Sequence, residues 1–445
     1  MTFYKNNIVM NNFQIESIKV EKLFGLYDYV LTKSKEESDN LIILYGDNGT
    51  GKSTILRIIY YLFSTQRIVG HKSQIANIAF KKIEIKLICG DIVIAERNNE
   101  NGLLVGSYNL SYIRKDKVIV SCFMKSRKKD ENGEYSIPAS SDEKDDREYD
   151  KFLSMFQNLS ILYISDNRKE INVAKDEAYN SRRIDRTFRI DLHEDRKEEE
   201  IEKEIDLLQE WIINRALSAT KKGEEGTSDI YTKILLQFSK NRKNKQTTPS
   251  IDEIRDRILS IAEKTESYVA MGFISQPDYQ SVLSVIEKVQ PQNVESVYNI
   301  LSPYMEMQEN KLSALDDLVE TISHFNNSLN KYLYRKTINY SVSNGFEIKP
   351  LGMNEAIDLR NLSSGEKQLI LLFSMVIRKS EDCPIIIIDE PEISLNIKWQ
   401  RMLMDTLQYF VKNSNTQFII ATHSFELLSS HTRDTIKLVS KDIEA

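Results

Sequence analysis

Gly46-Asp47-Asn48-Gly49-Thr50-Gly51-Lys52-Ser53-Thr54 is the stretch of sequence that decides the fold. It follows an apolar run at residues 41–45 (LIILY) and precedes a second one at residues 55–63 (ILRIIYYLF). This order predicts a strand, a glycine loop and a helix, and the spelling satisfies G-x-x-x-x-G-K-[ST]. Glycines let the backbone turn its N–H groups toward phosphate oxygens, and the following helix adds its positive end. We therefore predict a phosphate-binding loop in which Lys52 reaches the phosphates and Ser53 holds Mg²⁺.

The composition is that of a globular chain with an ordinary core. Of its 445 residues, 41% are hydrophobic and 28% are charged, and the net charge is −6. This balance argues against a strongly basic nucleic-acid coat, although it leaves room for a local basic groove. Three cysteines without a C-x-x-C pair and five scattered histidines predict a reduced, cytoplasmic setting and no structural zinc. We expect no membrane association, because no apolar run is long enough to span a bilayer and no signal peptide begins the chain.

Alternating residues predict an antiparallel sheet beside the glycine loop. Residues 13–31 alternate before the loop, and residues 81–89 and 92–97 read as the two strands of a hairpin. Residues 103–120 offer further strands. The next segment, residues 125–150, is dense in charge and poor in apolar residues, so we interpret it as a solvated surface loop. A loop that contacts a partner or nucleic acid is the alternative.

The middle of the chain, residues 191–336, has the composition of a helical insertion. Ser250 and Glu253 have the spacing of a capping box at a helix start. The most regular helix is predicted to begin near Ser302-Pro303, and it carries a seam of apolar residues spaced three and four apart. A short coiled-coil stalk and a helix packed within a helical domain both explain this seam. The seam residues are Leu315, Leu318, Ile322, Phe325, Leu329 and Tyr332.

Two continuously apolar runs near the C-terminal end predict buried parallel strands. Residues 384–388 (PIIII) lead into Asp389-Glu390-Pro391-Glu392, and residues 417–421 (QFIIA) lead into Thr422-His423-Ser424. Before them, residues 362–366 (LSSGE) open an apolar helix. Polar residues at the carboxyl ends of such strands often face a ligand, and the pattern as a whole predicts an α/β fold.

These polar residues have the chemistry needed to bind and cleave a triphosphate. The carboxylate of Asp389 can hold Mg²⁺, and Glu390 can orient and deprotonate an attacking water. The Ser363 hydroxyl, the Gly365 N–H and the helix dipole form a second anion site. If the two anion sites lie far apart on one molecule, one nucleotide cannot use both. Two molecules placed head to tail can each supply one site to the other's nucleotide.

The order of the motifs resembles one known family. The glycine loop, LSSGE, IIIIDEPE, SLN and ATHS follow one another as in ABC-type ATPases of the SMC, RecF and OLD branch. The resemblance implies an ABC-type P-loop NTPase head with an antiparallel β subdomain and a helical, short coiled-coil insertion. The two ATPase lobes would then be residues 1–190 and 337–445, separated by the insertion at residues 191–336.

The resemblance also implies cofactors and a role for each motif residue. ATP and Mg²⁺ are the implied cofactors, with the phosphates held by residues 46–54 and the metal ion by Ser53 and Asp389. Glu390 is the implied catalytic base, and His423 is the switch histidine that touches the γ-phosphate. The implied catalytic residues are Lys52, Glu390 and His423.

The remaining motifs imply a head-to-tail dimer, or a larger ring. Ser363, Ser364 and Gly365 would contact the γ-phosphate across the subunit interface. Asn396 lies in the SLN stretch that matches the D-loop, although Asn396 and Ile397 stand where His and Pro are usual in this branch. The Q-loop glutamine has three candidates: Gln74, Gln157 and the turn at residues 165–168.

The motif spacing leaves three candidate functions. The 314 residues from Gly51 to Gly365 exceed the gap in transporter ATPase subunits, and 22 residues after His423 are too few for the nuclease domain of OLD proteins. The chain thus resembles stand-alone anti-phage defence ATPases of the PARIS and Septu kind, which hold a separate nuclease or toxin effector and respond to a phage protein. A DNA-repair clamp of the RecF or SMC kind that binds duplex DNA is the alternative. A transporter subunit is disfavoured by the spacing.

Overall fold

The computed structural model describes a defined set of residues, which belong to two compact units. One unit comprises residues 1–190 and 375–445, and the other comprises residues 191–374. The described residues are 13–32, 40–65, 70–97, 104–125, 143–166, 192–224, 249–429 and 431–438.

The elements follow one another along the chain in an order that mixes strands and helices. The strands are β1 (Ile15–Leu23), β2 (Tyr27–Thr32), β3 (Leu41–Tyr45), β4 (Lys82–Leu87), β5 (Ile92–Glu96), β6 (Tyr108–Arg114), β7 (Lys117–Met124), β8 (Ile161–Ile164), β9 (Lys336–Ser341), β10 (Gly345–Pro350), β11 (Ile385–Asp389), β12 (Gln417–Thr422) and β13 (Thr435–Lys437). The helices are α1 (Lys52–Phe63), α2 (His71–Ile75), α3 (Glu143–Ser154), α4 (Leu192–Glu224), α5 (Ile251–Ala270), α6 (Tyr279–Ile286), α7 (Val294–Tyr332), α8 (Ser364–Lys379), α9 (Ile397–Phe410) and α10 (Phe425–Leu428).

A parallel sheet in the first unit has the strand order β13-β3-β12-β11-β8. The predicted buried strands are confirmed, since Ile385–Ile388 of β11 are all 0% exposed. Pairing in register sets Tyr45 beside Thr422, and Ala421 beside Asp389. The carboxyl ends of β3, β12 and β11 therefore meet at one edge of the sheet, next to the start of α1.

The antiparallel sheet of the first unit has the strand order β2-β1-β4-β5-β6-β7, which confirms the sheet predicted from the alternating residues. In β4 and β5 the side chains of Ile83, Ile85, Val93 and Ala95 are fully buried, as the period of two requires. Together with α1, these strands enclose a continuous apolar core.

The surface-loop prediction for residues 125–150 is wrong in its last part. Residues 126–142 lie outside the described residues, but α3 covers Glu143–Ser154. Its charged sequence conceals an amphipathic spacing, because Tyr149 and Phe152 lie three residues apart on one face and are 8% and 0% exposed. Packing of that face against the core stabilises a helix that charge density alone argues against.

The second unit contains the long helices α4, α5 and α7 and the β9–β10 hairpin predicted from the sequence. The predicted capping box of α5 is confirmed, with Ser250 and Glu253 bonding reciprocally. Helix α7 packs on α4, α5 and β9, and all six seam residues are buried. Ion pairs join α5 to α7, Arg257 with Glu309 at 2.6 Å and Lys264 with Asp316 at 2.8 Å.

The predicted start of the long helix near Ser302-Pro303 is wrong. Helix α7 begins at Val294 and carries Pro303 in its interior. A proline inside a helix removes one backbone hydrogen bond. Here Ser302, Pro303 and Met305 are all buried, so tertiary packing offsets that loss.

The compact units group residues 337–374 with the helices of residues 191–336. The sequence pattern assigned the same residues to a C-terminal lobe. The division into segments 1–190, 191–336 and 337–445 stays a prediction. Within the described part of the chain, no helix is long and apolar enough to cross a membrane.

Candidate functional site

The glycine loop between β3 and α1 is closed by close contacts at its glycines, and the closest is at Gly51. Gly51 has φ of 90° at the N-cap of α1, and a Cβ there would lie 2.7 Å from Cδ2 of Leu23 in β1. A Cβ at Gly46 would lie 3.1 Å from the carbonyl oxygen of Leu438. The hydroxyl of Tyr29 donates to the Thr50 carbonyl at 2.9 Å and fixes the loop from the antiparallel sheet. The backbone thus adopts a tight curl at the start of the helix.

The side chain of Lys52 lies inside this curl. Its Nζ donates to the Gly46 carbonyl at 2.7 Å and to the Asp47 carbonyl at 3.0 Å. The residue is only 5% exposed, so these carbonyls replace the water that the ammonium loses. Asp47, Asn48 and Gly49 at the tip of the loop are exposed. The loop therefore presents backbone groups outward around a buried cation, which is an arrangement suited to phosphate oxygens.

Ser53 and Asp389 are brought together from positions 336 residues apart. The Ser53 hydroxyl donates to Asp389 Oδ1 at 2.9 Å, and the Tyr163 hydroxyl donates to Oδ2 at 3.2 Å. Asp389 is 3% exposed. Burial raises the pKa of its carboxyl and the charge of Glu390 raises it further, while the two hydroxyl donors oppose this shift.

Arg57 and Tyr163 complete the surroundings of Asp389, and the sequence analysis missed both. Burial alone would lower the pKa of Arg57, but the hydrogen bond with Tyr163 and the nearby Asp389 charge raise it overall. Tyr163 pairs with Ile387 across β8 and β11, which places it two residues before Asp389 along the sheet. The position of Arg57 could have been found, since a residue four after Ser53 lies on the same helix face.

Glu390 and His423 lie side by side at the ends of β11 and β12. Glu390 has φ of 49°, a left-handed conformation that is uncommon for residues other than glycine. Its N–H donates to the Ala421 carbonyl at 2.8 Å. His423 Nδ1 lies 3.7 Å from Glu390 Oε1, and the two side chains are 48% and 24% exposed. Both side chains are accessible, unlike that of Asp389.

Asn396, in the predicted D-loop, has a structural role of its own. Its side chain accepts from the Trp399 N–H at 3.0 Å and caps the start of α9. Asparagine is among the preferred N-cap residues. Ser394, two residues earlier, has φ of 64°, so the backbone turns sharply before the cap.

The LSSGE residues lie in the second unit, at the start of α8. Ser363 donates from its backbone N–H and its hydroxyl to Glu366 Oε2, both at 2.9 Å. Lys336 Nζ donates to both oxygens of the same carboxylate, at 2.9 and 2.8 Å. Burial opposes ionisation of Glu366, but these donors outweigh it and lower the pKa of the carboxyl. Ser363 and Ser364 are exposed, whereas Gly365 is buried.

The three Q-loop candidates lie in different places, and the glutamine stays unassigned. Gln74 is half-buried on α2. Gln157 precedes β8, beside a cavity of about 340 Å³ at the amino end of the parallel strands. Of the turn at residues 165–168, only Ser165 and Asp166 are described, directly after β8 at the carboxyl edge.

A comparison with known protein families identifies the chain. The family described as "AAA ATPase domain" matches residues 14–428. The chain belongs to this family. This AAA ATPase therefore binds nucleotide and hydrolyses ATP, which agrees with the predicted enzyme class.

Two curated relatives match short parts of the AAA ATPase. The retron Vc95 probable ATPase of Vibrio cholerae serotype O1 biovar El Tor is 35% identical over 96 residues, which are 19% of this chain and 18% of that protein. A probable iron chelatin transport ATP-binding protein of Helicobacter pylori strain 26695 is 24% identical over 85 residues, 19% of this chain and 32% of that protein. The matches thus span less than a third of each relative.

Solved structures similar to the AAA ATPase include Smc head domains. The Pyrococcus furiosus Smc head with an extended coiled coil, bound to the C-terminal domain of ScpA, has 16% identity and a TM-score of 0.37, with 95% of this chain and 92% of that chain covered. The Pyrococcus yayanosii Smc head with a coiled coil and joint has 15% identity and a TM-score of 0.34, with 95% and 94% covered.

The loop geometry predicts that Gly51→Ala destabilises the AAA ATPase more than Gly49→Ala. Both positions have a left-handed backbone, which costs an alanine about 1–2 kcal/mol. Only at Gly51 does the new Cβ meet a buried neighbour, and such overpacking adds about 1–3 kcal/mol. A Cβ at Gly49 meets no described atom within 4 Å, so Gly49→Ala is the matched control. Urea unfolding of the full chain measures the difference, and equal losses in the two variants would contradict the close contact with Leu23.

Proposed function

We propose that two copies of this ATPase bind ATP between them, with the glycine loop of one copy and the LSSGE residues of the other on the same nucleotide. The contact between Ser53 and Asp389 carries the proposal for the chemistry, since it joins the phosphate loop to the carboxylate at the end of β11. The exposed Ser363 and Ser364 at the start of α8 support the proposal for the second anion site.

The residues around Asp389 fit Mg²⁺. A serine hydroxyl and a carboxylate are the hard oxygen donors that this ion prefers, and Ser53 and Asp389 already lie 2.9 Å apart. When bound there, Mg²⁺ supplies charge neutralisation for the phosphates. Tyr163 orients the carboxylate by donating to its second oxygen. In this proposal Ser53 and Asp389 hold the ion, as the motif resemblance implies.

We assign the hydrolytic step to the buried Lys52 and to two accessible side chains near this pair, Glu390 and His423. Lys52 stabilises the negative charge of the phosphates, since its ammonium lies at the centre of the loop. Glu390 takes the proton of the attacking water, because its carboxylate follows Asp389 directly and is partly exposed. His423 contacts the γ-phosphate from the end of β12. Asn396 positions the start of α9 beside the interface.

Glu390→Gln and Lys52→Ala should separate hydrolysis from binding. Glu390→Gln removes the proposed base but keeps the size and shape of the side chain, so kcat should fall about 10²–10⁴-fold while the affinity for ATP is retained. Lys52→Ala removes the cation of the loop, so ATP affinity itself should fall. Titration with a fluorescent ATP analogue and phosphate-release kinetics measure the two quantities. Undiminished turnover in Glu390→Gln, or unaltered affinity in Lys52→Ala, would remove that residue from its proposed role.

Mixing two inactive variants tests the shared nucleotide. Lys52→Ala and Ser363→Arg should each abolish turnover when present alone. In a pair of identical variants, every nucleotide site lacks either a working glycine loop or working LSSGE residues. A mixed pair contains one site built from the intact loop of one copy and the intact LSSGE residues of the other. Turnover should therefore return on mixing, to about a quarter of the wild-type rate for random pairing. No recovery at any ratio, with both variants folded, would contradict a site built from two copies.

We further propose that the ATPase regulates a separate nuclease or toxin effector in an anti-phage defence system, with a phage protein as trigger. The short match to a protein named as the probable ATPase of a retron supports this proposal. So does the motif order, which resembles that of stand-alone defence ATPases. The match covers 19% of this chain, whereas the proposed regulatory role concerns the whole protein.

Co-expression with the product of the neighbouring gene tests the regulatory role. We expect the two proteins to co-purify, and we expect Glu390→Gln to retain the complex while altering release of the effector's activity. Duplex DNA added to the ATPase alone should leave turnover unchanged. Absence of any associated effector, together with DNA-stimulated turnover that falls steeply with salt, would favour the DNA-clamp function instead.

A further inference from the structure

Glu392 is a buried carboxylate that the proposed chemistry leaves without a role. It lies two residues after Glu390, and it is 4% exposed. Its Oε1 accepts from the Thr422 hydroxyl at 2.5 Å, from the His423 N–H at 2.9 Å and from the Ser424 N–H at 3.2 Å. Its Oε2 is buried and has no hydrogen-bond partner among the described residues. A buried oxygen without a partner costs folding free energy, so stability alone does not explain this residue.

The bonds of Glu392 join the two loops that carry the accessible site residues. Glu392 follows β11, and its three donors lie at or just beyond the end of β12. The same two loops carry Glu390 and His423, respectively. The Glu392 carboxylate therefore ties the loop of the proposed base to the loop of the proposed switch histidine, in addition to the bond from the Glu390 N–H to the Ala421 carbonyl.

The carboxylate also reaches the imidazole ring directly. His423 Nδ1 lies 3.3 Å from Glu392 Oε1 and 3.7 Å from Glu390 Oε1. The other ring nitrogen, Nε2, lies on the opposite side of the imidazole. When Nδ1 faces the two carboxylates, Nε2 is directed away from them, and 48% of the side chain is exposed. A partner that holds one ring nitrogen commonly fixes the orientation of a functional histidine.

We propose that Glu392 is a positioning residue for ATP hydrolysis, which holds the His423 ring so that Nε2 faces the nucleotide. Glu392 acts through His423 and does not touch the substrate. This inference rests on the proposed role of His423. Neighbouring contacts hold the loop on its far side, since Ser424 Oγ donates to Gln400 Oε1 at 2.7 Å. In this proposal, Glu392 acts by fixing the orientation of the His423 imidazole ring.

A double-mutant cycle tests the proposal. Glu392→Gln keeps a carbonyl oxygen for the backbone N–H donors but removes the charge that faces Nδ1. We expect kcat to fall about tenfold while KM for ATP stays within about twofold, because only the hydrolytic step depends on the ring. In the His423→Ala background the same substitution should change kcat by less than about twofold. Glu426→Gln is the matched control, since Glu426 pairs with Arg401 at 2.6 Å and lies three residues beyond His423.

The outcomes distinguish this inference from the proposed role of His423. If His423→Ala alone retains the wild-type kcat, the histidine has no role and the inference fails with it. If His423→Ala slows turnover but Glu392→Gln slows it equally in both backgrounds, or acts on KM instead, the role of His423 stands and that of Glu392 is overturned. Thr422→Val, which removes one donor to Glu392, provides a second variant should Glu392→Gln not fold. It should show a smaller loss of kcat, again absent in the His423→Ala background.

Discussion

Parallel pairing of β3, β12 and β11 is the constraint on which the rest of the site depends. The strands are apolar along their length, so they can be buried on both faces, and their polar residues are confined to the carboxyl ends. Pairing in register brings the end of β3, and with it the glycine loop, beside Thr422 and one strand away from Asp389. The contact between Ser53 and Asp389 follows from this geometry. No local preference of either segment could produce it.

The carboxylates at this edge of the sheet lie in different surroundings. Asp389 is buried between two hydroxyl donors, whereas Glu390 is partly exposed on a left-handed backbone. Glu392 is buried again, with all its donors on one oxygen. Three acidic residues within four positions therefore have three environments. The alternation along the strand and the left-handed backbone of Glu390 direct the three carboxylates to different sides. Burial desolvates Asp389 and Glu392, so only Glu390 is accessible to solvent.

The sequence predicted those features that have a fixed local pattern. The glycine loop, the apolar strands, the hairpins and the capping box of α5 each have a spacing that one segment supplies by itself. Features that depend on packing were missed or misplaced. The helix over 143–154 is stabilised by burial of two aromatic side chains, and Pro303 is tolerated because its helix is packed. Tyr163 and Glu392 act on residues of other strands, so only the register of the sheet reveals their contacts.

The carboxylate of Glu366 links Lys336, which follows the longest of the described helices, α7, to the hydroxyl of Ser363. Lys336 lies four residues after the last residue of α7. Its ammonium donates to the Glu366 carboxylate, which also accepts the proton of the Ser363 hydroxyl. While that bond persists, an incoming phosphate must compete with Glu366 for the proton of the Ser363 hydroxyl. If a displacement of the end of α7 drew Lys336 away, the Glu366 carboxylate would lose that donor and would bind the Ser363 hydroxyl more strongly. A movement at the end of α7 would thereby change how readily the Ser363 hydroxyl donates a hydrogen bond to another group.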